Sequence, residues 1–167
     1  LLKQKVFTYD PGFTSTAACK SSITFIDGAH GELLHYGYPI EQLATQCSYM
    51  EVCYLLLNQQ LPNKEQAKNF EEQICNYSQL DNNIWQLLSH MDSSAHPVGN
   101  LLTAIGACAA NNHNKWSVND AEARLEGMLV AIGHMPTLVA ACLRSQQGLK
   151  PIKPKPEPKE KKPHVPY

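Results

Sequence analysis

The chain has 167 residues, with 14 Lys and Arg against 15 Asp and Glu and a formal charge of −1. That length supports one domain, or a domain and a tail, around a moderate core. The charge leaves no cationic excess to neutralise phosphates, which argues against nucleic-acid binding, and no apolar run reaches the length of a bilayer span.

Leu1-Leu2-Lys3-Gln4-Lys5 lacks the long apolar stretch and small-residue cleavage site of a secretory leader. The chain opens on Leu and not Met, as expected of a processed product or an incomplete coding sequence. Six Cys, at 19, 47, 53, 75, 108 and 142, form no CxxC pair. Cys53, Cys75, Cys108 and Cys142 sit among apolar residues in helix-like segments, so they are expected to be small buried hydrophobes with reduced thiols in a cytosolic protein.

In chain order, Asp10-Pro11-Gly12-Phe13 forms a turn, because Pro sets φ and Gly tolerates a positive one. Residues 22–26 and 32–36 read as two short strands of a hairpin whose loop is Asp27-Gly28-Ala29-His30-Gly31. From Pro39 onward the pattern is helical. Pro39 starts a short helix over Ile40 to Ala44, and Ser48 with Glu51 forms a capping box for a helix through Leu57. Asn63 caps the next helix, with Ala67, Phe70 and Ile74 on one face. Ile84, Leu87, Leu88 and Met91 mark another.

Pro97 opens a segment to Ala110 that is small and apolar on nearly every side, which predicts a helix enclosed by other helices. Asn111 to Asn119 is a polar loop. Asp120 begins a helix expected to break or kink at Gly133 and Pro136. A final helix from Thr137 to Gln147 stops at Gly148. Residues 149–167 hold six Pro and six Lys; so little apolar surface cannot offset ordering entropy, and a disordered tail is expected. The division is 1–38, an N-terminal segment with the hairpin; 39–148, a helical domain; and 149–167, the tail. The fold class is all-α.

Phe7 to Ala17, Ile23 to Gly28 and Leu33 to Ile40 closely resemble citrate synthases of the NADH-sensitive bacterial kind. So do Gln42-Leu43-Ala44, Glu51 to Asn58, His96-Pro97 and Met135-Pro136-Thr137. The blocks keep their order from about Val6 to Gly148, which chance meets far less readily than one short motif. The resemblance implies an incomplete large helical domain, its N-terminal part. It also implies descent from an enzyme that condenses acetyl-CoA with oxaloacetate and water to citrate and CoA. In the family, two His, an Asp base and oxaloacetate-binding Arg residues come later in sequence, in blocks that no part of this chain matches. No catalytic, cofactor-binding or metal residue is therefore assigned, no cofactor is expected, and the chain alone is expected to be inactive. A parent acting on propionyl-CoA, a 2-methylcitrate synthase, is the variant reading; Asp10-Pro11-Gly12-Phe13 favours citrate.

The family's NADH pocket falls partly within this span. Its basic and polar cluster is replaced by Asn76-Tyr77-Ser78-Gln79, its Tyr by Asn112, and its basic positions before Met135 by Val130 and His134. Without those cations an anionic dinucleotide loses its main attraction, so the allosteric site is expected to be lost. The family Gly after the Leu-Leu-Asn run is Gln59 here, and the Ser before His96-Pro97 is Ala95. The family also uses helices of the 97–147 region as a subunit interface. Self-association, docking on intact citrate synthase subunits, or pairing as half of a split enzyme follow as expectations.

Other residue types carry bland readings. Seven His occur without an HExxH or HxxxH pattern, and His30/His35 and His90/His96 lack metal-ligand spacing. His96 is read as a cap on the helix that Pro97 begins, and Ser93-Ser94 as turn residues without a nucleophile elbow. Pro151 to Pro154 and Pro163 to Pro166 have PxxP spacing, explained by composition.

Overall fold

The structure, a computed structural model, describes residue 12 and residues 19–155. Most of the turn at Asp10–Phe13 and the tail beyond Lys155 lie outside the described residues. Among the described residues, three strands, β1 (Thr24–Asp27), β2 (Glu32–His35) and β3 (Tyr38–Pro39), precede six helices. These are α1 (Ile40–Gln46), α2 (Tyr49–Asn58), α3 (Lys64–Asn76), α4 (Asn82–His90), α5 (Pro97–Asn111) and α6 (Ala121–Gln146). The chain divides into two compact units between Leu61 and Pro62.

In the first unit, β1 and β2 pair antiparallel with Phe25 opposite Leu34 and Ile26 opposite Leu33. Asp27 closes the hairpin: Ala29 and His30 donate their backbone N–H to Oδ1 at 3.0 and 3.1 Å, and the His30 ring meets Oδ2 at 2.8 Å. A two-residue turn follows β2, with Tyr36 and Gly37 both at positive φ, the backbone handedness that tight hairpins require. It adds β3, with His35 opposite Tyr38. The expected hairpin is thus a three-stranded sheet; two residues of Tyr and Pro carry too little pattern to announce a strand. Ser48 and Glu51 form the expected capping box on α2, the Ser48 N–H donating to Glu51 at 2.7 Å.

In the second unit, Asn63 caps α3 reciprocally with Gln66, each backbone N–H donating to the other side chain at 2.9 Å. Phe70 and Ile74 are the buried face of α3, and Ile84 and Leu88 that of α4. His96 accepts from the Val98 N–H at 3.3 Å beside a Pro in the first turn of α5, as its sequence position implied. Asp120 caps α6 through the Ala123 N–H at 2.9 Å. At the far end Gly148 has φ +69°. Leu149 donates to the Arg144 carbonyl and Gly148 to that of Ser145, at 2.8 and 2.9 Å, a Schellman stop.

Two expectations require correction. The sequence predicts an interruption at Gly133 and Pro136, yet α6 runs unbroken through both to Gln146. A Cβ on Gly133 would stand 2.7 Å from the Tyr77 Cβ and 2.8 Å from the Ile74 carbonyl oxygen. Gly133 is there to let α3 approach α6, and packing against α3, α4 and α5 offsets the hydrogen bond that Pro136 removes. Uninterrupted, α6 is long and apolar enough by length and composition to cross a membrane, which the sequence read in two pieces concealed. Its burial of Leu129, Val130, Gly133, Thr137, Leu138, Ala141 and Cys142 makes it the central helix of this unit.

The second correction concerns α5. It buries Asn100, Ala104 and Cys108 but leaves Val98 and Leu102 52% and 65% exposed, so it is enclosed on one side. The core joins Leu80, Ile84, Leu88, Ala104, Cys108, Leu138, Ala141 and Cys142. All six cysteines are free, and of the four expected to be buried, Cys53 and Cys75 are only half-covered.

Candidate functional site

Three segments of the second unit enclose a cleft of about 190 Å³. One wall is the connection from α3 to α4, carrying Asn76, Tyr77, Gln79 and Asp81. The second is α6, whose Glu126, Val130 and His134 recur every fourth residue and so share one helical face. The third is the loop after α5, with Asn112, Lys115 and Trp116.

Each wall has a local cause. Thr137 Oγ1 donates to the Ser78 carbonyl at 3.0 Å, which ties the first wall to α6. Asn112 Nδ2 donates to the Cys108 carbonyl at 2.9 Å and the Trp116 N–H to the Asn112 carbonyl at 3.1 Å, so the loop winds tightly beyond α5. The Trp116 indole lies on α6 at Gly127, where a Cβ would stand 3.4 Å from Cγ of the ring, in ordinary contact. Gln79 Nε2 donates to the Pro154 carbonyl at 3.2 Å. Residues 149–155, without helix or strand, are thereby held beside the cleft, helped by Arg144 Nε donating to the Lys150 carbonyl at 2.8 Å.

The electrostatics are mixed. Burial pushes the His134 imidazole below its ordinary pKa, opposed by a hydrogen bond to the Gln79 backbone and by the Asp81 carboxylate. The formal charges lining the space are then Asp81 and Glu126 against Lys115. The sequence had singled out Asn76, Tyr77, Gln79, Asn112, Val130 and His134 by position, and the fold gathers all six here. Ser78, from the same stretch 76–79, does not line the cleft, and its buried hydroxyl has no partner among the described residues. Asp81, Lys115, Trp116 and Glu126 were not singled out. The i, i+4 spacing of Glu126 from Val130 was the one signal available.

Other polar clusters are structural. Arg124 Nη1 donates to the Val118 carbonyl at 2.6 Å, so this Arg and Arg144 both hold backbone near helix ends. Ser94 donates through N–H and hydroxyl to Asp92 Oδ1, both at 2.8 Å, and these bonds hold the Asp92 carboxyl below its usual range. Among the described residues no group of three or more His, Cys, Asp or Glu could hold a metal ion.

Among the described residues, six helices and one small antiparallel sheet, with a polar cleft on the central helix of the second unit, define an all-α scaffold. A family profile described as citrate synthase, C-terminal domain, matches residues 12–164. Citrate synthase from Thermotoga maritima is similar in structure, with a TM-score of 0.73 and 26% identity over 89% of this chain and 38% of that one. The enzyme from Pyrobaculum aerophilum gives 0.73 and 27% over 87% of this chain and 38% of its own. Citrate synthase from Thermoplasma acidophilum, in ternary complex with carboxymethyl coenzyme A and oxaloacetate, gives 0.76 at 21% identity over 86% of this chain and 37% of that one, a likeness of fold. The chain belongs to the citrate synthase family. It spans less than two-fifths of the length of these structures.

Proposed function

We propose that these residues are the leading part of the large domain of a citrate synthase subunit of the NADH-sensitive bacterial type, a scaffold without catalysis of its own. The parent reaction joins the acetyl group of acetyl-CoA to oxaloacetate in the cytosol and releases CoA. It needs a base to remove a proton beside the thioester, an electrophile on its carbonyl, and cations to clamp a dicarboxylate. One observation carries the reading. The chain has just two Arg, and Arg124 and Arg144 are each committed to a backbone carbonyl, at 2.6 and 2.8 Å. The order of the family-like blocks supports the placement at the front of the domain.

The direct test is CoA release from acetyl-CoA and oxaloacetate by the purified chain. Background rates support the proposal, and turnover without any added subunit overturns it. The same assay with propionyl-CoA covers a 2-methylcitrate parent. Mixing with a separately produced remainder of a family subunit asks whether the chain is half of a split enzyme; activity only in the mixture assigns it that role.

A second reading rests on surface chemistry. Leu102 of α5 and Leu125, Met128, Met135, Val139 and Leu143 of α6 are exposed. Apolar area of this kind drives association, either with a second copy or with an intact citrate synthase subunit. Sedimentation velocity supports the reading if mass rises with concentration or with added intact enzyme; a monomer throughout removes it.

A further inference from the structure

We infer that the cleft between the α3–α4 connection, the loop after α5 and the face of α6 binds a small organic cation with an apolar body. The inference stands independently of the condensation reading, because it uses only the walls of this space.

Tyr77 and Trp116 supply aromatic surface on two different walls, and Asp81 and Glu126 supply carboxylates on the first and the second. An ammonium group gains both from a carboxylate and from an aromatic face, while its hydrocarbon part removes apolar wall from water. Asn76, Gln79 and Asn112 bring side-chain amides to the same space, whose carbonyl oxygens accept from the remaining N–H donors of a primary ammonium. Lys115, the opposing charge, is exposed on a loop, where its long stem lets the ammonium swing to solvent. His134 adds little positive charge near neutral pH, because its burial favours the uncharged ring. An anion meets two carboxylates and one mobile cation; a cation meets the reverse. A cleft of about 190 Å³ limits the occupant to one ring or a short alkyl chain.

The experiment uses the full chain with three probes of one shape: benzylammonium, benzyl alcohol and benzenesulfonate. Ligand-observed saturation-transfer NMR reads binding to the native sequence. Fluorescence of Trp116 in a Trp85→Phe background places it, since Trp85 and Trp116 are the two tryptophans. Saturable binding of benzylammonium with Trp116 quenching, and weak or no binding of the other two, is expected. Glu126→Gln and Asp81→Asn, both at exposed positions, should each lower benzylammonium affinity roughly fivefold, and Lys115→Ala should raise it. Equal or tighter binding of benzenesulfonate, no saturable response to benzylammonium, or indifference to both carboxylate variants overturns the inference.

Discussion

Gly133 shows how one hydrogen in place of a methyl group sets the spacing of two helices. The Tyr77 backbone carbon, 2.8 Å from where a Cβ would stand, belongs to main chain that cannot rotate away. Gly133→Ala is therefore expected to destabilise by about 1–3 kcal/mol, although Ala is the better helix former by about 1 kcal/mol. Gly106, on α5 with nothing near its missing Cβ, is the control: Gly106→Ala should raise the urea midpoint while Gly133→Ala lowers it. Gln59 is the mirror case. It follows α2 with φ +65°, a left-handed conformation that costs a residue with a Cβ about 1–2 kcal/mol, and it stands where the family resemblance expects Gly. Gln59→Gly should increase stability by about 1 kcal/mol in the same assay.

His134 carries a pH dependence. Its folded pKa lies below the ordinary value of 6.5, so as pH falls through that value the unfolded chain takes up the proton first. Stability should thus be full above about pH 6.5 and decline below it. Lys115, Asp81 and Glu126 line the same space, and the Gln79 backbone hydrogen bond and the Asp81 carboxylate moderate the effect. Urea midpoints from pH 7.5 to 5.5 should fall less steeply for His134→Gln than for the unaltered chain; equal slopes would contradict the burial argument.

Helix beginnings were written locally and obeyed locally. Ser48, Asn63, His96 and Asp120 each accept a backbone N–H at the start of their helices, because a cap needs only residues within a few positions of one another. Asn63→Ala should cost about 1 kcal/mol by removing one half of a reciprocal pair, measurable in thermal melts. Helix α6 behaved differently. Gly and Pro near its middle are breakers in isolation, yet α3, α4 and α5 pack along it, and the contacts outweigh the local penalty. α5 shows the opposite limit: a uniformly apolar sequence says that burial is sought but not which side receives it.

At the scale of the molecule, α5 and α6 keep exposed apolar residues. Leu102→Lys, at a site 65% exposed, should leave the melting temperature nearly unchanged while lowering concentration-dependent association in sedimentation. A large loss of stability without any change in association would mean that Leu102 belongs to the core and not to a docking face. The all-α class, the hairpin, the caps and the family resemblance were legible in the residues. Each rests on spacing of 2 or 3–4 positions, or on long ordered motif blocks. The cleft was half legible: positions 76, 77, 79, 112, 130 and 134 came from the resemblance. Asp81, Lys115, Trp116 and Glu126 joined them only because the α3–α4 connection, the loop after α5 and α6 pack together.

Short-range chemistry decided where the elements start, which strands turn back on each other and to which family the chain belongs, since neighbouring residues suffice for each. Long-range packing decided that Gly133 is a contact and not a break, that α5 keeps a bare side, and that two carboxylates face the same space as a tryptophan. Those outcomes depend on distances between separate segments of the chain, and no local pattern encodes a distance of that kind.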